Sequence, residues 1–174
     1  MNFLAWLEQT EFSTWLRESD WGYPNVLCVH AVGMGMVVGI SLMYCARVLG
    51  FARAFPLEGF HKLFALAWLG FVMNALSGVL LFVGEPRRLA DTPAFWIKMI
   101  LIVFAGLALW VLAKTIEVPE EYSSEGYLAP DGTLAVDAAV PASAKIAAVF
   151  SIFFWLAAIT AGRIIGYTIP PPPL

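Results

Sequence analysis

Four long, predominantly apolar runs, at residues 25–48, 60–83, 94–113 and 144–167, constrain this chain more than any other feature. Each is about 20 residues or longer, which as a helix rising 1.5 Å per residue covers a hydrocarbon core of about 30 Å. Backbone N–H and C=O groups have no water to bond inside a bilayer, so only helices and closed barrels can span it. The alternating ten-residue pattern of a membrane barrel is absent. The runs therefore predict an all-α integral membrane four-helix bundle. Its connections follow sequential order, which gives an up-down-up-down path.

Composition agrees. Hydrophobic residues make up 60% of the chain, charged residues only 13%, and the mean hydropathy is +0.78. A compact soluble domain carries about a quarter charged residues. The formal net charge of −3 and a pI near 5.3 argue against nucleic acid, which selects a basic face. Cys28 and Cys45 lie on one predicted helix about 25 Å apart, too far to bridge, so each is expected to act as a small buried apolar residue. Before residue 21, Glu8, Glu11, Glu18 and Asp20 outnumber Arg17, the reverse of the basic start of a secretory signal.

The chain divides into an interfacial amphipathic segment (1–24), the first three spans (25–113), an acidic extramembrane loop (114–143), and the fourth span with its Pro-rich end (144–174). Phe3, Leu4 and Leu7 recur at helical spacing, as do Phe12, Trp15 and Leu16; both stretches are expected to lie at the interface, with Trp6, Trp15, Trp21 and Tyr23 at headgroup level. Pro24 opens the first span, and Pro56, Pro86, Pro93, Pro119, Pro130 and Pro141 punctuate the connections. The loop holds Glu117, Glu120, Glu121, Glu125, Asp131 and Asp137 without a compensating Lys or Arg, and Asp131-Gly132 suggests a turn. It is a solvated loop or a docking face for a basic partner. With both termini on one side, that side carries Arg17, Arg87 and Arg88, and the other carries Arg47, Arg53, Lys62, Lys114 and Lys145. This bias favours external termini and a cytoplasmic loop.

Ionisable residues inside a bilayer are costly, so each raises a functional question. His30, Lys98 and Arg163 fall at similar depths near one face, below Arg87 and Arg88, and Asn74 and Ser77 add polarity to the same half of span two. His61 begins span two at the opposite face, so His30 and His61 cannot both ligate one haem iron in a protomer. His30 is either a helix-packing histidine or a functional one: an axial ligand to haem b, or a proton or quinone contact. Met34, Met73 and Met99 are the candidates for a second axial position. Gly33 lies one turn along, and Gly35-x-x-x-Gly39 has the small-residue spacing that admits a flat ligand or another helix. Lys98, Arg163 and Arg88 could hold haem propionates or another anion. Lys98 could equally snorkel, whereas Arg163, beside Gly162, is expected to be buried. Met34, Met36, Met43 and Met73 raise Cu(I), but their spacing spreads them around the helices. No CxxC, phosphate loop, HExxH or Ser/His/Asp set points to a soluble-enzyme site, and no catalytic residue is assigned.

Phe12 to Pro24 followed by His30-Ala31-Val32-Gly33, then Pro93-Ala94-Phe95-Trp96-Ile97-Lys98, and Ala161-Gly162-Arg163-Ile164-Ile165, resemble a family of small bacterial four-helix integral membrane proteins of unknown function. The resemblance extends over nearly the whole chain and implies a bacterial cytoplasmic membrane. It also implies that His30, Lys98 and Arg163 belong to a signature. The long acidic loop departs from it, since such proteins keep that connection shorter.

Three functions stay open. One is a membrane-embedded redox or anchor subunit that binds haem b or contacts quinone through His30. Another is a cofactor-free accessory or assembly subunit that docks with other membrane subunits or with itself. The last is a small-solute or ion carrier with an anion site at His30, Lys98 and Arg163.

Overall fold

A computed structural model describes residues 3–51, 59–116 and 140–168, with side chains described for 3–51, 63–116 and 140–167. Among the described residues 89% are helical and none forms a strand. Two short helices, α1 (Phe3–Glu8) and α2 (Glu11–Glu18), precede the long α3 (Gly22–Val48) and α4 (Gly59–Gly84). The short α5 (Pro86–Ala90) leads into α6 (Pro93–Thr115), and α7 (Ala142–Thr168) closes the order. The four long helices match the four expected spans to within a few residues at each end, and each is apolar enough to cross a membrane. The acidic stretch from Glu117 to Asp137, its Asp131-Gly132 turn, Arg53, Pro56 and the terminal prolines lie outside the described residues.

Helix boundaries follow local chemistry. Pro86 and Pro93 occupy first-turn positions of α5 and α6, where a missing N–H costs nothing. At the end of α3, Gly50 takes φ 95°, so the Gly50 N–H reaches the Arg47 carbonyl and the Phe51 N–H reaches the Ala46 carbonyl. That pairing satisfies the last carbonyls of the helix and needs a residue without Cβ. Arg47, only 2% exposed, belongs to the body of α3 rather than to a loop. Removing it from the positive-charge count leaves four residues against three, so the bias behind the orientation narrows.

Contacts between named residues give the layout. α3 and α4 form one antiparallel pair, locked where Gly33 meets Gly70 and where the Tyr44 ring meets Phe64 edge-on at 5.1 Å. α6 and α7 form the other, with Phe104 stacked on Phe154 at 5.4 Å and the Ser151 hydroxyl near the Ala105 carbonyl at 3.4 Å. α3 packs on α7 and joins the pairs: Tyr44, Cys45 and Val48 meet Leu112, Ala144 and Ala148 in one cluster, and Val37 and Val38 meet Ala105 and Trp155 in another. α4 and α6 touch at one end, where Phe82 stacks on Phe95 at 5.6 Å. Below that contact the two outer helices diverge and leave a groove floored by α3 and α7.

Helix packing in lipid depends on close approach, since apolar burial supplies little drive there. A Cβ on Gly33 would stand 2.8 Å from the Asn74 nitrogen and the Gly70 carbonyl oxygen, and one on Gly70 would stand 2.6 Å from the Met36 Cβ. Gly33 and Gly70 thus set the α3–α4 distance. Gly35 and Gly39 play no part in that packing: a Cβ on either would meet nothing within 4 Å. The expectation for Cys28 is corrected. Cys45 is buried, but Cys28 faces outward.

The amphipathic N-terminal stretches are helices, but the second presents its apolar residues in two directions. Leu16 (1% exposed) is buried with Ser13, while Phe12 and Trp15 stack on each other and face outward. Ser13 Oγ donates to the Val83 carbonyl at 2.8 Å, and Arg17 donates to the Gly84 carbonyl at 3.2 Å. α2 therefore caps the last carbonyls of α4.

Candidate functional site

The site forms where three helices bring polar side chains together in the half of the bundle that α2 caps. His30, on α3, lies over α4. Gly78 makes room for it, since a Cβ there would stand 3.3 Å from the imidazole Cε1. The Asn74 amide donates to the His30 carbonyl at 2.8 Å, and Ser77 Oγ lies 3.0 Å from His30 Nδ1. Lys98 extends from α6 across Gly162 of α7, where a Cβ would meet its stem at about 3.5 Å, and its Nζ ends 3.5 Å from His30 Nε2.

Counting protons assigns the tautomer. A serine hydroxyl has one proton, and Ser77 Oγ lies 2.6 Å from the Met73 carbonyl, four residues back on its own helix. That bond uses the hydroxyl proton, so Ser77 Oγ accepts from Nδ1–H. His30 is then neutral, with the Nε2 lone pair facing the Lys98 ammonium. One Lys98 proton points at Nε2, and two remain for another acceptor. Among the described residues, no ion pair joins Lys98 to a carboxylate.

A cavity of about 30 Å³ opens beside this pair, room for about one water molecule. Asn74, Lys98 and Trp155 give it three N–H-bearing side chains, and Met34, Val37 and Phe71 give it an apolar wall. Trp155 is 5% exposed, and its indole Nε1 has no hydrogen-bond partner among the described residues. Four residues, Val37, Phe71, Ile102 and Trp155, line both this cavity and the groove between α4 and α6, whose volume is about 460 Å³.

The expected set is only partly brought together. His30 and Lys98 meet and Gly33 packs on α4 against Gly70 and Asn74, but Arg163 is turned outward, its guanidinium 5.4 Å from the Tyr167 ring centre. The small residue beside it, Gly162, accommodates the Lys98 stem instead. Arg88 is held by Glu85 at 2.7 Å, and Arg87 by Glu8 at 2.5 Å, so both bind carboxylates rather than the histidine. His61 lies in the first turn of α4, sixteen residues and about 24 Å of helix from Ser77, which agrees with its separation from His30.

The arrangement does not fit haem b as first expected. Nε2 faces the Lys98 ammonium and Nδ1 bonds Ser77, so both imidazole nitrogens are engaged. Of the candidate second ligands, Met34 lines the small cavity, Met73 packs its Cβ on Gly33, and Met99 faces outward. Among the described residues, no three of His, Cys, Asp and Glu gather as a metal site.

Trp155, Ser41, Ser151 and Arg47 are buried polar groups that sequence reasoning passed over. Ser41 and Ser151 sit on apolar helices without charge to mark them, and Trp155 was indistinguishable from the lipid-facing aromatics around it. Arg47 alone gives a signal: it lies inside the apolar run 25–48, one residue before its end. No protein-family model, curated protein or solved structure matches the chain, so the resemblance to the bacterial family receives no support beyond its own motifs.

Proposed function

We propose that this protein is a membrane-embedded redox or anchor subunit that contacts a lipid-soluble quinone through Lys98 and His30. The carrying observation is a lysine inside an apolar bundle, 3.5 Å from a neutral imidazole, with two ammonium protons uncommitted. A buried cation of this kind stabilises an oxygen that gains negative charge, as a quinone carbonyl does on reduction. The imidazole beside it can relay a proton, since Nε2 can accept while Nδ1–H is held by Ser77. Haem b is the weaker form of this reading because both imidazole nitrogens are engaged. A carrier with an anion site loses its third cation, because Arg163 faces away. The same proposal takes the membrane to be a bacterial cytoplasmic one with external termini, on the family resemblance and the narrow charge bias, and takes other membrane subunits or a second copy as partners.

Equilibrium dialysis of the detergent-purified protein against a radiolabelled short-chain quinone tests the reading. Saturable binding that falls at least tenfold in Lys98→Met and His30→Ala, but holds in Arg163→Ala, is the expected result. Absence of saturable binding would overturn it. A Soret band lost in His30→Ala would replace quinone by haem.

A further inference from the structure

The quinone reading leaves open how a ring reaches Lys98, since the cavity beside it holds about 30 Å³. We infer that the quinone ring enters sideways from the bilayer and seats in the groove between α4 and α6, with Trp155 Nε1–H donating to one of its carbonyls. This rests on the reading that Lys98 contacts a quinone.

Three observations converge on the groove. Its volume of about 460 Å³ falls within the 300–1,000 Å³ usual for small-molecule sites. Phe64, Trp68, Phe71 and Trp110 supply aromatic walls, and aromatic rings prefer to stack against other flat rings. The floor contains Trp155, nine-tenths buried or more, whose Nε1 lacks an acceptor among the described residues. A buried donor without a partner destabilises the fold, which therefore gains from any acceptor that reaches it. A carbonyl on a flat ring satisfies the donor and the walls together.

The groove adjoins the small cavity. Val37, Phe71, Ile102 and Trp155 border both, so a ring seated in the groove lies beside Trp155 with a carbonyl turned towards the Lys98 side. Gly106 offers a position from which the groove can be filled. It lines the groove on α6, and a Cβ there would meet nothing within 4 Å. A phenylalanine at this position would occupy the groove without displacing the bundle.

Dialysis against the same labelled quinone tests this with Gly106→Phe, Trp155→Phe and Gly166→Phe. Gly166 is another open glycine, outside the groove. The expected result is at least tenfold weaker binding in Gly106→Phe, about fivefold in Trp155→Phe from the lost donor, and no change in Gly166→Phe, with all three retaining the thermal midpoint within a few degrees. Binding that depends on Lys98 but is indifferent to Gly106→Phe and Trp155→Phe would overturn the groove and leave the quinone reading standing. No saturable binding to the wild-type protein would overturn both. Equal loss in Gly166→Phe would mark a non-specific effect of bulk and would overturn the groove as well.

Discussion

Lys98 is placed by a glycine on another helix and a histidine on a third, so its cost and its use can be separated experimentally. Desolvating an ammonium without a carboxylate partner destabilises the fold. Lys98→Met keeps most of the stem and removes the charge, so it is expected to match or exceed the wild-type thermal midpoint while losing quinone binding. A lower midpoint would make Lys98 a structural residue. The glycines give a sharper contrast. Gly33→Ala and Gly70→Ala drive a methyl into backbone or Cβ atoms and are expected to cost about 1–3 kcal/mol in a detergent unfolding titration. Gly35→Ala and Gly39→Ala meet open space and are expected to be neutral or slightly stabilising, alanine being the better helix former. Sequence spacing alone favoured Gly35 and Gly39. The facing helix decides which glycine is needed, and no spacing on α3 reveals that Gly70 stands opposite Gly33.

At the scale of elements, the four spans were legible because lipid removes alternatives: a run of 20 apolar residues has one stable spanning form. Depth was legible too, since His30, Lys98, Asn74 and Ser77 were assigned to one half of the bundle by counting residues, and all four converge there. Facing was not. Arg163 shares their depth but points outward, and hydropathy this uniform around α7 gives no angular signal. The short α2 carries its own prediction. Leu16→Ala should cost about 2–5 kcal/mol, the range for emptying a buried leucine site, and should raise amide hydrogen exchange in the last turn of α4, where Ser13 and Arg17 reach the carbonyls. Arg87→Ala should change stability by less than about 1 kcal/mol, because its pair with Glu8 is largely exposed. A large loss there would show that α1 is anchored by charge rather than by packing.

For the molecule as a whole, the two antiparallel pairs meet through α3 and α7 and leave the outer helices apart, and this asymmetry gives a four-helix bundle of modest size both a polar interior and a side opening. The opening and the polar cluster share one wall, and the proposed reading uses it to bring a bilayer-soluble ligand to a lysine buried near one face. The central claim is that a quinone carbonyl accepts a hydrogen bond from Lys98. The most direct measurement is the infrared difference spectrum of a carbonyl-labelled quinone bound to the purified protein. A downshifted, split carbonyl band that collapses towards the free-quinone position in Lys98→Met is predicted. A single band at the detergent-solubilised position, identical in wild type and Lys98→Met, would contradict it.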